Sequence, residues 1–494
     1  MDDALPPAAG RARHVADILS RAAEAHGYAL VDVPLLESTE LFLRKSGEML
    51  APKLYAFTFG NRDVCVRPEF TASVGRLYVD QLQDAPLPQR LYYSGPVLRH
   101  EKPQRGRRRQ FTQLGLELIG ASGPAADAEV ILTACDGLHA LGLRDYRVVL
   151  GHIGATLEML ERLKLDRRAR NFVLSQLENL AREDRGMAYV EARLAELYPA
   201  GEASASEEWR LAAGPGRREM RALAASLLGR LDADLALGSR TVEDVVDGLL
   251  EQLSRPDPLP LIRQALELAR QLHALSGPPG QALPAAADLL AQHYISEEPL
   301  RELDQIVALL RQAGVPDKSL QINLGFGRGL YYYTGMIFEI YPAADESESQ
   351  QLCGGGRYDD LIASLGGRRR TPACGFAYGI QRLADCLGEE QPPARADLLV
   401  VIEEGLAGPA LRVARLLRRA GLRVEADVRG RKAGSAAQFA ARNGIRYVLE
   451  IQVEAGATRY RLRDRQTKET WTLDEAGLMD WAGNRGAGTA GERE

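Results

Sequence analysis

Apolar positions recur at helical spacing over residues 8–26, and residues 28–34 follow as a strand that ends in proline. Residues 91–120 read as two antiparallel strands joined by a basic loop, because Lys102-Pro103-Gln104-Arg105-Gly106 places turn chemistry between strand-like flanks. A helix over 124–141 and a strand over 146–151 come next. From about residue 155 to 312 the texture changes to Leu, Ala, Arg and Glu at helical period, broken by loops such as Gly214-Pro-Gly and Gly277-Pro-Pro-Gly. Strands resume at 320–324 and 332–341, so one sheet is split in sequence by a helical insertion. Beyond a linker at 388–396, strands at 397–402, 422–426 and 447–451 alternate with helices at 407–420 and 436–443, the pattern of a small domain with a largely parallel or mixed sheet. Small polar residues from about Gly483 predict a disordered end. The expected organisation is an α+β core in two parts, 1–152 and 319–388, an insertion at 153–318, an α/β domain at 397–482 and a tail at 483–494.

Composition narrows this only a little. The 494 residues suffice for two or three domains with sizeable cores. The net charge of −5 means that any nucleic-acid contact must come from local patches. Five cysteines, Cys65, Cys135, Cys353, Cys374 and Cys386, form no Cys-x-x-Cys pair and lie in apolar contexts, which predicts a reducing compartment and no structural zinc. The seven histidines show no metal-ligand spacing, so no metal site is expected. No stretch approaches the roughly 20 apolar residues of a membrane span, and the opening MDDALPPAAGRARH has no apolar core of a secretory signal. The expectation is a cytoplasmic protein without a membrane partner.

The densest chemistry lies in 91–120. Arg99 stands eight residues before Arg107, Arg108 and Arg109. Guanidinium groups are permanently charged forks that match phosphate oxygens, so arginines at strand ends can hold a nucleotide and neutralise charge growing at its α-phosphate. Gln113 and Glu117 are four apart, an even spacing that puts both on one face of a strand, placed to read an amine or an imidazole. The bland alternative is a solvated basic hairpin. Gly325-Phe-Gly-Arg-Gly is no dinucleotide fingerprint, because an aromatic strand follows it instead of a helix. Gly354-Gly-Gly lacks the Lys-Ser or Lys-Thr of a phosphate loop and reads as a turn or a close backbone approach. Arg368-Arg369-Arg370 reads as a solvated loop.

The hairpin resembles motif 2 of class II aminoacyl-tRNA synthetases, specifically that of the histidyl-tRNA synthetase family. Arg67-Pro68-Glu69-Phe70-Thr71 looks like the family's Arg-Pro-Glu-Gly-Thr element, and Gly327 to Gly335 is similar to its Arg-Gly-Leu-Asp-Tyr-Tyr signature. Cys353-Gly-Gly-Gly-Arg357-Tyr358-Asp359 looks like the second histidine signature, and Gly375 to Arg382 matches motif 3. The helix and proline-ended strand near the start look like motif 1. The resemblance implies a class II antiparallel-sheet core, a homodimer, and a C-terminal domain of the anticodon-binding kind. It implies ATP with Mg2+ as cofactors and histidine and tRNA(His) as partners, with histidyl-adenylate formed and then transferred. Arg328 and Arg99 become the catalytic cations, and Arg99, Glu101, Arg107 and Arg382 the ATP ligands. Glu69, Thr71, Gln113, Glu117, Arg328, Tyr332, Tyr333 and Tyr358 become the histidine ligands. For Tyr332 and Tyr333 the competing reading is strand core.

The same fold has a non-catalytic branch, the ATP phosphoribosyltransferase regulatory subunit, which senses histidine and pairs with a phosphoribosyltransferase catalytic subunit. Phe70 in place of glycine, Leu150-Gly-His-Ile-Gly, Tyr331 in place of aspartate and Gln381 in place of glutamate lean toward that branch. Arg99, Arg328, Arg382, Gln113 and Glu117 lean toward a ligase, since a pure regulator has no electrostatic need for three arginines around an α-phosphate.

Overall fold

The computed structural model describes residues 3–46, 51–100, 108–181, 185–198, 258–325, 332–343, 350–387, 396–454 and 457–491. The chain forms two compact units, Met1–Gly388 and Glu389–Glu494. In the first, α1 (Ala8–Ala25) leads through β1 (Ala29–Leu30), β2 (Leu36–Ser38), α2 (Thr39–Ser46), β3 (Tyr55–Phe59) and β4 (Arg62–Val66) to α3 (Thr71–Leu77). Then come β5 (Gln89–Leu98), β6 (Gln110–Ile119), α4 (Pro124–Ala140) and β7 (Tyr146–His152). The described helices of the insertion are α5 (Gly154–Arg162), α6 (Arg167–Ala181), α7 (Gly186–Leu197), α8 (Leu259–Ala274), α9 (Pro279–Gln292) and α10 (Glu298–Gln312). The unit closes with β8 (Leu320–Ile322), β9 (Met336–Pro342), β10 (Cys353–Arg357), α11 (Leu361–Ser364), β11 (Ala373–Gly379) and α12 (Ile380–Cys386).

Eight of these strands form one sheet in the order β1-β5-β6-β11-β10-β9-β7-β8, antiparallel except for the parallel pairs β1/β5 and β7/β8 at its two edges. Its longest pairing is the β5/β6 hairpin, from Gln89↔Ile119 to Leu98↔Gln110. Strand periodicity turns Leu114, Leu116 and Leu118 toward Val15 and Leu19 of α1 and Val130, Ile131 and Leu138 of α4. Each such leucine stabilises by about 1.5–3 kcal/mol when buried. The same periodicity sends Gln113 and Glu117 to the opposite face. The insertion is packed into the unit: Leu177 of α6 and Ala269 of α8 share a buried cluster with Tyr93, Tyr333 and Tyr358.

Three elements of this unit differ from the expectation. The proline-ended strand shrinks to Ala29–Leu30, because Arg67 Nη1 takes the carbonyls of Val33 (2.5 Å) and Pro34 (3.3 Å) and Pro34 has no N–H to offer a ladder. The strand expected over 332–341 begins only at Met336. Before it, Thr334 N donates to Arg357 O (2.8 Å), which turns Tyr332 and Tyr333 over the end of β10 and removes them from the strand core. The glycine run of β10 is a buried strand, paired on both sides, so close backbone approach is its role.

The second unit orders its sheet β13-β12-β14-β15-β16, from β12 (Leu398–Val400), β13 (Val424–Ala426), β14 (Tyr447–Glu454), β15 (Ala457–Asp464) and β16 (Thr470–Leu473). Alternate residues face opposite helices: Leu398 and Val400 pack on α13 (Ala407–Arg419), Leu399 and Val401 on α14 (Ala433–Arg442). The parallel β13/β12/β14 core with an antiparallel β14/β15/β16 flank is the mixed sheet that the sequence predicts. A last helix, α15 (Glu475–Gly491), runs through the segment expected as a disordered tail. Leu478 and Ala482 bury against the sheet and start the helix that the small residues continue.

Candidate active site

The face of β6 opposite α1 and α4 carries Gln113 and Glu117, both buried. Register sets Tyr93 of β5 across from Gly115, and its hydroxyl donates to Glu117 Oε1 (3.0 Å). Tyr358, the residue after β10, donates its hydroxyl to Glu117 Oε2. A Cβ on Gly375 of the neighbouring β11 would come 2.8 Å from the Tyr358 hydroxyl, so glycine is what lets that phenol reach the carboxylate. Burial, then the charge of Glu117, pushes the Tyr93 phenol well above its usual range, so it stays a donor at any working pH. Glu117 is thereby a fixed acceptor. Gln113 Oε1 is buried and has no hydrogen-bond partner among the described residues. A buried lone pair of this kind suits a donor arriving with a ligand.

The next wall follows β4. Glu69 accepts from Thr71 N (2.7 Å) and Ala72 N (3.1 Å), capping the start of α3 through its carboxylate. Burial, then Tyr333 and Glu69, pushes the Tyr332 phenol well above its usual range, which sets Glu69 within electrostatic reach of that ring. Tyr332, Tyr333 and Tyr358 cluster with centroid separations of 4.6, 5.7 and 6.5 Å. The structure thus gathers Glu69, Thr71, Gln113, Glu117, Tyr332, Tyr333 and Tyr358 around one site.

Of the arginines singled out in the sequence, Arg99 donates through Nε to Pro68 O (2.8 Å) and its guanidinium carbon lies 5.4 Å from the Phe111 ring centroid. Arg382, in the first turn of α12, donates to Gln351 O (3.0 Å). Gln381 beside it makes two bonds to Thr112 of β6, accepting from its N–H (2.8 Å) and donating to its hydroxyl (3.2 Å). Arg328, Glu101 and Arg107, and the departure Tyr331, lie outside the described residues. Arg368 pairs with exposed Asp84 and Arg370 with exposed Asp360, as a solvated loop would.

Tyr93 and Arg67 are the site residues the sequence reading lacked. Tyr93 matters only through its cross-strand register with Gly115, which a linear reading does not supply. Arg67 lay inside a recognised motif, and its buried run of backbone acceptors is what identifies its role. His152 of the Gly-His-Ile-Gly segment faces away from this chemistry. Gly154 N donates to its Nδ1 (3.0 Å), so Nε2 carries the proton and donates to Glu302 Oε2 of α10 (2.9 Å).

An antiparallel-centred sheet split by a helical insertion, with arginines and acidic or aromatic side chains on one face, defines a class II aminoacyl-tRNA synthetase fold. Solved structures share it, among them the following two. The apo histidyl-tRNA synthetase of S. aureus superposes with a TM-score of 0.63 at 22% identity, covering 98% of each chain. An ATP phosphoribosyltransferase regulatory subunit/histidyl-tRNA synthetase from Bacillus halodurans gives 0.61 at 21% identity over 91% of this chain and 96% of its own. Residues 1–209 and 236–383 match the family model of histidyl-tRNA synthetase, and 398–485 match an anticodon binding domain. The histidine–tRNA ligase of Pyrococcus horikoshii is 32% identical over 486 residues, 97% of this chain and 96% of the relative. That of Methanocaldococcus jannaschii is 31% identical over 458 residues, 91% and 90%. The chain belongs to the histidyl-tRNA synthetase family.

Proposed function

We propose that the protein is a histidine–tRNA ligase, which joins histidine to ATP as histidyl-adenylate and passes the histidyl group to tRNA(His). One observation carries this reading: curated relatives aligned over nearly the whole chain, with the anticodon-binding unit present, are histidine–tRNA ligases. The site chemistry agrees. Glu117, held by two phenols, accepts an imidazole N–H, and Gln113 Oε1 accepts from the ammonium. Tyr332, Tyr333 and Tyr358 enclose the ring, while Glu69 and Thr71 add polarity at the amine end. The histidine carboxylate attacks the α-phosphate in line and pyrophosphate leaves. Arg99, Arg328 and Arg382 offset the charge that gathers there, and Glu101 and Arg107 complete the hold on the nucleotide. ATP enters as its magnesium complex, which carries the charge of the departing pyrophosphate. A hydroxyl of the terminal tRNA adenosine then takes the histidyl group and AMP departs.

A homodimer fits the apolar surface exposed by Leu30, Leu35, Leu36, Phe57 and Phe59. Among the described residues no helix is long and apolar enough to cross a membrane. Histidine-dependent exchange of labelled pyrophosphate into ATP tests the reading. Exchange that falls by at least about a hundredfold in Arg328→Ala is expected, as for removal of one transition-state donor. Absence of exchange in a wild-type protein that still binds histidine overturns the ligase and favours a histidine-sensing subunit.

A further inference from the structure

Phe70 replaces the glycine of the Arg-Pro-Glu-Gly-Thr pattern and is fully buried, at 1% exposure. Its ring is stacked on Tyr93 with centroids 4.3 Å apart and 7° between the planes. The Arg67 guanidinium carbon lies 3.9 Å from the same Phe70 centroid, so the ring is packed between a cation and a phenol. Arg67 is itself immobile, donating to Pro96 O (3.0 Å), Val33 O (2.5 Å) and Pro34 O (3.3 Å). A Cβ on Gly95 would stand 2.7 Å from Arg67 Nη2 and 3.1 Å from Phe70 Cζ, so the strand above the stack has been cleared for it. At the far end, the Tyr93 hydroxyl donates to Glu117 Oε1.

We propose that Phe70 is a positioning residue for amino-acid recognition: the Arg67–Phe70–Tyr93 stack fixes the Tyr93 hydroxyl on Glu117, and so fixes the carboxylate that reads the substrate ring. The inference rests on the reading of Glu117 as the histidine acceptor. A glutamate has three rotatable bonds and a tyrosine two, and each must be held for an acceptor to be preorganised. Flat contact on Phe70 holds the phenol, and the phenol holds the carboxylate. With glycine at position 70 that face of Tyr93 would have no ring to lie on, so this chain holds its acceptor through an aromatic that the Arg-Pro-Glu-Gly-Thr pattern lacks.

A double-mutant cycle on the full-length protein tests it, with histidine affinity read by calorimetry and histidine KM and kcat read by pyrophosphate exchange. Phe70→Leu keeps an apolar side chain without a flat face, and Phe70→Met is the second variant if Leu does not fold. Tyr93→Phe keeps the stack and removes the hydroxyl. Phe70→Leu is expected to raise histidine Kd and KM about tenfold, with kcat and the ATP KM within about twofold. In the Tyr93→Phe background the same substitution is expected to change histidine Kd less than about twofold, because the group through which Phe70 acts is gone. Equal losses in both backgrounds, or a parallel loss in kcat and ATP KM, overturn the inference and leave Phe70 as packing. A wild-type protein that binds histidine without exchange overturns the ligase reading alone, since the cycle on Kd still decides the stack. A wild type that binds no histidine overturns the role given to Glu117 and the inference with it.

Discussion

Glu117 accepts two phenol hydroxyls in a buried setting, and that arrangement makes its charge hard to replace. Glu117→Gln turns one acceptor into an NH2 that faces a donor, and one tyrosine hydroxyl must rotate away. The cost of a disrupted charged hydrogen bond is about 1.5–3 kcal/mol, so histidine KM should rise roughly ten- to hundredfold in pyrophosphate exchange while the ATP KM holds. Because burial keeps the Tyr93 phenol protonated, histidine affinity should not fall through phenol ionisation as pH rises to about 9. Gln113 and Glu117 were legible in the sequence because a strand has a period of two and four is even. Glu69 stood out in the sequence as a candidate, but its capping of α3 depends on where that helix starts.

Elements meet at the site through a few polar ties. Gln381 binds the backbone and the hydroxyl of Thr112, clasping α12 to the outer end of β6 between Phe111 and Gln113. Gln381→Ala should raise the ATP KM about five- to tenfold, each lost bond being worth about 1 kcal/mol or less, whereas Gln381→Glu retains two acceptors and should keep it near wild type in the same assay. A second tie joins β7 to α10. The bond from His152 lowers the Glu302 carboxyl below its ordinary 4.5. A folded pKa below the unfolded one means that this tie adds stability above about pH 4.5 and loses it as pH falls through the folded value. With its carboxylate 37% exposed, solvent screening holds the contribution to about 0.5 kcal/mol. Glu302→Gln should therefore be less stable than wild type at pH 7, with the gap narrowing as pH falls below about 4.5 in denaturant titrations. The long helices α1, α4, α13 and α14 were legible from periodicity alone. The early end of β1 was not, because the side chain that captures the Val33 and Pro34 carbonyls beyond it is that of Arg67, more than thirty residues away.

At the scale of the molecule, the split of the core by an insertion was visible as strands that stop and resume, and the sheet order follows. The insertion's part in walling the site was not visible, since Leu177 and Ala269 look like any helical core positions. The apolar surface around the three-stranded sheet β2-β4-β3 belongs to this scale too. On the homodimer proposed above, Phe59→Asp should shift the mass in sedimentation velocity from twice the 54.0 kDa of the chain toward the single value. The interleaved sheet also has a consequence during synthesis. β6 is finished about 250 residues before its neighbour β11 leaves the ribosome. At roughly 5–20 residues per second that delay is some 13–50 s. In the interval the far edge of β6 has backbone N–H and C=O groups open to any passing strand, while the locally formed insertion helices can fold on time. Translation that stalls between these two strands would release a half-sheet with one ladder missing, and the nascent chain is a natural client for chaperones until residue 379 has emerged.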